Sequence, residues 1–332
     1  MVEAPHPLGT PAPGRRILVT GGLGFIGSNL VRRLDALGAE VLVADMLLEG
    51  HGGNAHNLKD VSGRVSVRRC DLRDPSLLPE LLEGRELVFN LAAQTSHMGS
   101  MTDPATDLSI NAAAQLSLLE ACRRHAPQAR IVYTSTRQVY GEPVRLPVDE
   151  SHATVPLDVN GWNKLAGEGY HRLYHRVHGL RTTVLRLTNT YGPRMRIRDA
   201  SQTFVGAWIG RIVRDEPFEV WGGEQVRDLC HVDDVVDALL AAARPELEGG
   251  VYNVGGACTA TLREVADALA QGAGGRYLIR PFPEERRRID IGDFRADDSL
   301  FRRLTGWVPR IGLGAGLCST VAWFREHREH YA

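Results

Sequence analysis

Three glycines, Gly21, Gly24 and Gly27, lie between a short β-branched run and a helical pattern. In such a turn the first glycine permits a sharp bend, the second lets the backbone approach a pyrophosphate, and the third lets the helix pack closely on the strand. The pyrophosphate would face the unpaired N–H groups at the start of the helix. The spacing is wider than Gly-x-Gly-x-x-Gly, but both flanking elements are present. This turn, which includes Phe25 and Ile26, therefore predicts a dinucleotide-binding site.

Asp45 indicates which dinucleotide is bound. It ends the next predicted strand, about 20 residues beyond the glycines, where an acid accepts hydrogen bonds from the adenosine ribose hydroxyls. The same carboxylate would repel a 2′-phosphate, and Met46 and Leu47 supply no arginine to neutralise one. We therefore expect NAD rather than NADP.

The elements that must position these residues alternate between strand and helix patterns. The predicted strands are Ile17–Thr20, Val41–Asp45, Val65–Val67, Leu87–Leu91 and Arg130–Thr134, and the predicted helices include Ser28–Leu37 and Asp107–His125. This alternation is typical of α/β proteins with a doubly wound, parallel Rossmann sheet.

From about Thr190 the loops lengthen and the strands become shorter, which predicts a smaller, discontinuous α/β lobe for the substrate. The expected division is a flexible leader at 1–13, an NAD-binding domain at 14–189 plus 226–249, and a second lobe at 190–225 plus 250–332. The Pro-rich leader has no apolar core, so it does not resemble a signal peptide.

Composition excludes several classes of function. In 332 residues, 43% are hydrophobic and 24% charged, and the formal net charge of -1 argues against a nucleic-acid-binding protein. The five cysteines are scattered without a Cys-x-x-Cys pair, which is typical of reduced thiols and not of a disulfide framework or a zinc site. No apolar run approaches the roughly 20 residues of a membrane helix. We expect a cytoplasmic protein that binds no membrane and no metal.

Several further motifs occur in a fixed order along the chain. They are Asp71-Leu72, Asn90-Leu91-Ala92-Ala93, Ser135-Thr136, Val139-Tyr140-Gly141, Lys164, Asn189-x-Tyr191-Gly192-Pro193 and Arg227-Asp228-x-x-His231-Val232-Asp233-Asp234. With the glycine turn, they resemble the extended short-chain dehydrogenase/reductase family, especially its NAD-dependent nucleotide-sugar epimerases and dehydratases. The resemblance covers nearly the whole chain after the leader.

The resemblance implies a set of cofactor contacts. Asp71 and Leu72 would contact the adenine, and Ala92 and Ala93, beside Leu91, would line the path towards the nicotinamide ribose. Lys164 would bind that ribose and lower a neighbouring pKa. Lysine occurs only at positions 59 and 164 in this arginine-rich chain, so its presence at this position is informative.

The resemblance also implies contacts with a nucleotide-diphosphate sugar. Thr136 would hydrogen-bond the reacting sugar hydroxyl, and Asn189 would hold the diphosphate. The diphosphate and nucleoside contacts would be Arg227, and Arg287 or Arg288 near Asp290, because the guanidinium fork suits phosphate. The remaining expected substrate contacts are Ser96, Arg137 and Gln138. Arg137 could meet an anionic group on the sugar, such as a carboxylate, or form a salt bridge within the protein.

The chain departs from the family at its catalytic pair, Tyr-x-x-x-Lys. Asn160 stands four residues before Lys164, and no tyrosine precedes a lysine at this spacing. An amide does not titrate, so Asn160 can position a hydroxyl but cannot be the general base. Three interpretations stay open: a relocated base, chemistry by Thr136, Lys164 and an ordered water, or binding of NAD and a nucleotide sugar without turnover.

For a relocated base, His97 is the favoured candidate because histidine titrates near neutral pH. It follows the fourth predicted strand, in the loop Thr95–Ser100. Tyr140 and Asp158 are weaker candidates.

The two residues after Thr136 favour one of the family's reactions over the others. The family's dehydratases carry an Asp-Glu pair directly after the catalytic Thr, and its UDP-glucuronate decarboxylases keep the Glu. Here those positions are Arg137 and Gln138. We therefore expect epimerisation through a transient ketosugar, with a dehydratase, another oxidoreductase of the family or a non-catalytic binding protein as alternatives.

Two other patterns bear on assembly and metals. The apolar stripes of Asp107–His125 and Asn160–His178 match the helices through which family members dimerise by a four-helix bundle, although both stripes could simply face the monomer core. Asp233-Asp234 lies in what the resemblance implies is a structural turn, so no metal is expected.

Overall fold

The computed structural model describes residues 13–48, 52–199 and 203–331. Of the expected leader at 1–13, only the last residue lies within the described part of the chain.

The strands form one large sheet and two small ones. They are β1 (Arg16–Thr20), β2 (Glu40–Asp45), β3 (Val65–Arg69), β4 (Leu87–Asn90), β5 (Arg130–Thr136), β6 (Arg181–Leu187), β7 (Asn189–Tyr191), β8 (Phe218–Trp221), β9 (Val226–His231), β10 (Val251–Val254), β11 (Cys258–Thr261) and β12 (Tyr277–Arg280). The large sheet has the order β10-β6-β5-β4-β1-β2-β3, and its pairs are parallel. The predicted doubly wound Rossmann sheet is confirmed.

Helices cover both faces of this sheet. Those of the described residues are α1 (Phe25–Ala36), α2 (Leu78–Leu82), α3 (His97–Thr102), α4 (Pro104–Leu108), α5 (Ala114–His125), α6 (Val159–His178), α7 (Phe204–Val213), α8 (Val232–Ala242), α9 (Leu262–Ala273), α10 (Glu284–Arg287), α11 (Ser299–Thr305), α12 (Leu313–Glu326) and α13 (Arg328–Tyr331). A π-helical turn at Ser109–Ala113 joins α4 to α5, so the single helix predicted there is interrupted.

The central strand β1 shows why the sequence adopts this layering. Its residues Ile17 and Val19 pack with α1 and α8, whereas Leu18 packs on the opposite face with α2 and α5. All three side chains are fully buried. A continuous apolar run, without polar alternation, is typical of a parallel strand covered on both faces.

The second lobe has its own core, formed by α7, α9, α12 and strand β8. It contains the three-stranded sheet β11-β9-β7 and the two-stranded sheet β12-β8. Two strands lie in a different sheet from the one that the predicted division implies. β9, within the predicted NAD-binding domain, belongs to a small sheet, and β10, within the predicted second lobe, joins the large sheet beside β6. A strand of four to six residues carries no sequence signal of the strand beside which it pairs.

The Asp233-Asp234 pair lies at the start of α8. Asp234 is buried and its carboxylate accepts hydrogen bonds from the backbone N–H groups of Arg310 and Ile311, at 2.9 and 3.0 Å. It therefore ties the second lobe's chain to α8. Within the described ranges, no three His, Cys, Asp or Glu side chains are grouped as a metal site would require.

None of the helices in the described residues has both the length and the apolar character needed to cross a membrane. The five cysteines are free, and Cys70, Cys122 and Cys230 are buried.

Candidate active site

The glycine turn between β1 and α1 has no room for side chains. Gly21 has a φ of 69°, and a Cβ there would lie 2.9 Å from the backbone of Ala92. A Cβ on Gly27 would overlap the carbonyl oxygen of Gly21. No side chain caps α1 at Gly24, so the first-turn N–H groups are available to an anion. These features fit a pyrophosphate lying against the turn.

Asp45 lies at the end of β2, where its two oxygens accept hydrogen bonds from the backbone N–H groups of Leu23 and Leu47, at 2.9 and 2.8 Å. Each carboxylate oxygen has a second lone pair, so the group can still accept from a ribose. Asp71 and Leu72 line the same end of the crevice. Arg73 donates to the Asp71 carboxylate through Nε and Nη2, and these hydrogen bonds lower the pKa of Asp71.

Thr20 fixes the loop after β4 against the glycine turn. Its hydroxyl donates to Oδ1 of Asn90 at 3.0 Å and accepts from the N–H groups of Leu91 and Ala92, both at 3.1 Å. Leu91, Ala92 and Ala93 thereby form one wall of a crevice that also includes the glycine turn, Phe25, Ile26, Asp45, Thr136 and Lys164. We call this the first crevice. Its continuity from the helix terminus to Lys164 fits an extended dinucleotide.

Lys164 lies on α6 and is buried, beneath the end of β5. Its Nζ donates to the carbonyl oxygen of Thr134 at 2.9 Å and lies 4.8 Å from the centre of the Tyr133 ring. Burial lowers the pKa of Lys164 to about 8, against the opposing effect of the Asp107 and Glu168 carboxylates. The ammonium retains donors for a ligand, because one protein acceptor uses only one of its three protons.

Thr136 ends β5 and begins a 3-10 turn at Arg137–Tyr140. Its hydroxyl oxygen accepts from the N–H of Gln138 at 3.2 Å, and Thr136 lines the first crevice near Lys164. Its hydroxyl proton remains available for a sugar oxygen. The structure thus brings the two motif residues together.

Asn160 lies one turn before Lys164 on α6 and is almost fully buried. Its Nδ2 donates to the carbonyl oxygen of Gln94 at 2.8 Å and to Oδ2 of Asp107 at 3.0 Å. Both amide protons are therefore committed to the protein. Asn160 can offer a ligand only its carbonyl oxygen, so its main observable role is to join α6 to α4.

His97 begins α3 and is paired with an acid. Its Nδ1 lies 2.8 Å from Oδ2 of Asp158, whose side chain is 1% exposed, whereas the His97 side chain is 34% exposed. Although burial opposes it, the contact with His97 and the N–H of Gly161 lower the pKa of Asp158, so the carboxylate is ionised. Asp158 also caps α6. The two side chains therefore place an ionised carboxylate against a half-exposed imidazole.

The prediction of Tyr140 as a candidate base is wrong. Tyr140 is 1% exposed, donates its hydroxyl to Oδ1 of Asn253 at 2.7 Å and lines neither crevice. Burial raises the pKa of Tyr140. It faces the core because Tyr140 is the last residue of the 3-10 turn, whereas Arg137 and Gln138 at the start of the turn line the crevices.

A second crevice adjoins the first. Its walls include Ser96, Trp221, Arg227, Arg286 and Asp290. Ser96 Oγ accepts from the N–H of Gly99 at 3.0 Å and so orients α3. Arg227 is buried and donates to both carboxylate oxygens of Asp290, at 3.1 and 3.0 Å.

The arginine near Asp290 that lines the second crevice is Arg286, and not Arg287 or Arg288 as predicted. Arg287 and Arg288 are exposed and do not line either crevice; Arg287 pairs with Glu284. Arg286 lines the second crevice instead, with its guanidinium 4.7 Å from the centre of the Trp221 ring. Three consecutive arginines give no sequence signal of which one a short helical turn directs inward. Arg73 was also missed, although the Asp71-x-Arg73 spacing could have indicated it.

Five described residues line both crevices and mark their junction: His97, Arg137, Gln138, Asn189 and Thr203. Oδ1 of Asn189 and Oε1 of Gln138 are buried and have no hydrogen-bond partner among the described residues. Nε2 of Gln138 donates to Oδ2 of Asp158 at 3.4 Å. A ligand spanning the two crevices would meet a histidine, a guanidinium and two amide acceptors here.

Comparison with known proteins identifies relatives across nearly the whole chain. Residues 17–255 match the NAD dependent epimerase/dehydratase family. A UDP-glucose 4-epimerase from Mycolicibacterium smegmatis is 34% identical over 94% of this chain and 99% of its own. A dTDP-glucose 4,6-dehydratase from Streptomyces niveus is 31% identical over 94% of each chain.

A solved structure agrees with these sequence relatives. The UDP-glucose 4-epimerase of Thermus thermophilus in complex with NAD is 34% identical, with a TM-score of 0.83 over 93% of this chain and 99% of its own. Together with the fit of the first crevice, this relative identifies NAD as the cofactor.

Proposed function

The chain belongs to the NAD-dependent epimerase/dehydratase family, and we propose that it epimerises the sugar of a nucleotide-diphosphate sugar, with His97 and Asp158 replacing the family's tyrosine. The observation that carries this proposal is the 2.8 Å contact between these two side chains at the junction of the crevices. The nucleotide sugar would lie in the second crevice with its sugar at that junction.

The residues at the junction favour epimerisation over dehydration. Removal of water from a sugar needs an acid and a base near adjacent carbons, and none of the five described residues lining both crevices is an Asp or a Glu. Epimerisation needs one group that exchanges a proton with one hydroxyl. His97 can supply that exchange.

The proposed mechanism uses the chain's own residues as follows. NAD, held by the glycine turn, Asp45 and Lys164, would supply reversible hydride transfer with a ring carbon of the sugar, so that a transient ketosugar could be reduced again on its opposite face. His97 takes the hydroxyl proton as the ketone forms and gives it back on return. Asp158 stabilises the charged imidazole between these steps. Thr136 donates to the reacting oxygen, and Lys164 binds the nicotinamide ribose.

The test is incubation of the purified protein with UDP-, GDP-, CDP- and dTDP-sugars, with and without added NAD, followed by NMR. A new epimer is expected from at least one substrate. His97→Gln should lower its rate at least about 100-fold while nucleotide-sugar binding persists. The exposed His125 provides the matched control, so His125→Gln should leave the rate unchanged.

Two other results would replace this proposal. A 4-keto-6-deoxy product would make the chain a dehydratase. Tight binding of NAD and a nucleotide sugar without any new product would make it a binding protein, and the locked amide of Asn160 would then have removed the family's chemistry.

We also propose that the chain forms a homodimer through a four-helix bundle of α4–α5 and α6 from each copy. These helices bury Leu118, Leu119 and Tyr174 in the monomer core. They leave other apolar side chains exposed on the outer surface: Leu108 (53%), Leu116 (38%), Trp162 (54%), Leu173 (42%) and Val177 (57%). Exposed apolar side chains on both helices are what a bundle between two copies would cover. The cytoplasmic location stays a prediction.

A further inference from the structure

Arg137 is a half-buried cation that forms no salt bridge with the described residues. It lies immediately after Thr136, and its Nη1 atom is shielded from solvent and has no hydrogen-bond partner among the described residues. The salt bridge within the protein that the sequence allowed is therefore absent from the part of the chain described here. The guanidinium lies 5.4 Å from the centre of the Phe294 ring.

The surroundings of Arg137 leave it charged but poorly compensated. Burial, followed by the repulsion of Arg227, lowers the pKa of Arg137 to about 9, against the opposing effect of the Asp290, Asp228 and Asp158 carboxylates. At neutral pH the guanidinium is still protonated. Because a charged donor shielded from solvent without an acceptor is costly, an anionic ligand that accepts from Nη1 would gain more than one at a fully exposed arginine.

The position of Arg137 indicates which anion it meets. A nucleotide sugar carries its diphosphate between nucleoside and sugar. The second crevice contains other arginines, Arg211, Arg227 and Arg286, which do not line the first crevice. Arg137 lines both crevices, next to Thr136 and together with His97. In the proposed pose the sugar lies at this junction, and Arg137 follows directly after Thr136, the residue expected to contact the reacting sugar hydroxyl. Asn189, at the same junction, would meet the diphosphate where it joins the sugar.

We propose that Arg137 recognises a carboxylate on the sugar, so that the preferred substrates are nucleotide-diphosphate uronic acids. This inference rests on the proposed function only in placing a nucleotide sugar across the two crevices. The planar fork of a guanidinium binds a carboxylate through two parallel hydrogen bonds. The unpartnered Oε1 of Gln138 is the adjacent acceptor for a sugar hydroxyl.

Binding measurements on matched pairs of ligands test this without requiring turnover. The probes are UDP, UDP-glucose and UDP-glucuronate, with the equivalent GDP and dTDP sets, titrated into the NAD-loaded protein by calorimetry. For the nucleotide that binds, the uronate should bind more tightly than the neutral sugar. Arg137→Met should weaken the uronate at least about 30-fold, because it leaves a desolvated carboxylate unpaired, and should change UDP and the neutral sugar less than threefold.

Two variants complete the test. Arg137→Lys keeps the charge without the fork and should recover part of the uronate affinity. The surface substitution Arg145→Met, at a side chain that is 56% exposed, should change nothing. The proposal is wrong if no uronate in the set binds better than its neutral sugar. It is also wrong if Arg137→Met weakens the nucleoside diphosphate as much as the uronate, which would assign Arg137 to the diphosphate. If uronate binding depends on Arg137 but no product forms, the carboxylate proposal is supported and the proposed epimerase activity is refuted.

Discussion

At the scale of single residues, Asn160 shows how a side chain at a catalytic position can become structural. The buried Asp107 accepts from Nδ2 of Asn160 at 3.0 Å and from Nδ2 of Asn163 at 2.8 Å. These two bonds join α4 to α6 around a fully buried carboxylate. A phenol at position 160 would leave that carboxylate with one amide donor fewer.

We predict that Asn160→Ala destabilises the protein without abolishing its chemistry. The substitution removes two buried hydrogen bonds and takes the Asn160 donor from Oδ2 of the buried Asp107, which should lower the free energy of unfolding by about 2–4 kcal/mol. The turnover number kcat should change less than about threefold, because the proposed proton transfer lies at His97. Urea unfolding and steady-state kinetics measure the two effects. A fully stable variant with a 100-fold lower kcat would instead place Asn160 in the chemistry.

The residues that the sequence revealed are those whose chemistry is unusual at their position. Lys164 was recognisable in a chain with only two lysines, and His97 because few side chains titrate near neutral pH. Asp158, which contacts His97, lies 61 residues further along the chain, and no sequence pattern links these two residues. Likewise, Arg286 and not Arg287 or Arg288 lines the second crevice because of the path of the short helix α10, which the sequence does not reveal.

At the scale of elements, Asp158 connects the fold of α6 to the proposed chemistry. Its Oδ1 accepts from the N–H of Gly161 at 2.6 Å and so caps the helix, while Oδ2 faces His97. One carboxylate thereby fixes both the helix that carries Lys164 and the imidazole. It is a positioning residue, since it lines neither crevice itself.

Two substitutions should separate these functions. Asn is as good a helix cap as Asp, so Asp158→Asn should leave stability almost unchanged while lowering kcat about 10-fold or more, with KM unchanged, because the charge beside His97 is lost. Asp158→Ala should show the same kinetic loss and an additional loss of about 1 kcal/mol in stability. In a His97→Gln background, Asp158→Asn should have no further kinetic effect. Additive losses in the double variant would refute a role exerted through His97.

Element types were predicted well where their periodicity is strong. The strand that ends at Asp45 and the helix ending at His178 lie where expected. The π-helical turn at Ser109–Ala113 was not foreseen, because α and π turns share nearly the same apolar spacing. The partners of β9 and β10 could not be inferred either, since pairing depends on crossovers elsewhere in the chain.

At the scale of the whole molecule, the site exists only where the two lobes meet. His97 and Arg137 lie in the helical segments that follow β4 and β5 of the large sheet, whereas Arg227 and Arg286 lie on β9 and α10 of the second lobe. The family resemblance predicted that Arg137 and Arg227 bind one ligand, whereas it pointed to Arg287 or Arg288 in place of Arg286. It could not predict the unpaired state of Arg137, which depends on the distances to carboxylates from several separate segments.

Assembly of two copies would also involve α6, because this helix carries site residues on its inner face and exposed apolar side chains on its outer face. Leu173 and Val177 are one turn apart and are exposed in the monomer. If a second copy covers them, replacing both with Glu buries two charges per subunit, which the interface cannot accommodate without several kcal/mol of loss. We predict that Leu173→Glu/Val177→Glu converts a dimer to a monomer in analytical ultracentrifugation.

The matched control uses exposed leucines outside these helices. Leu278, on β12, and Leu304, on α11, are exposed to 50% and 45%. The variant Leu278→Glu/Leu304→Glu adds the same charge to the chain, so it should remain a dimer if α6 forms the interface. A wild-type chain that sediments as a monomer at micromolar concentration would refute the bundle. If both double variants dissociate, charge and not the location of the substitution would be responsible. Only a loss confined to the α6 variant identifies the outer face of the helix that carries Lys164 as the contact between copies.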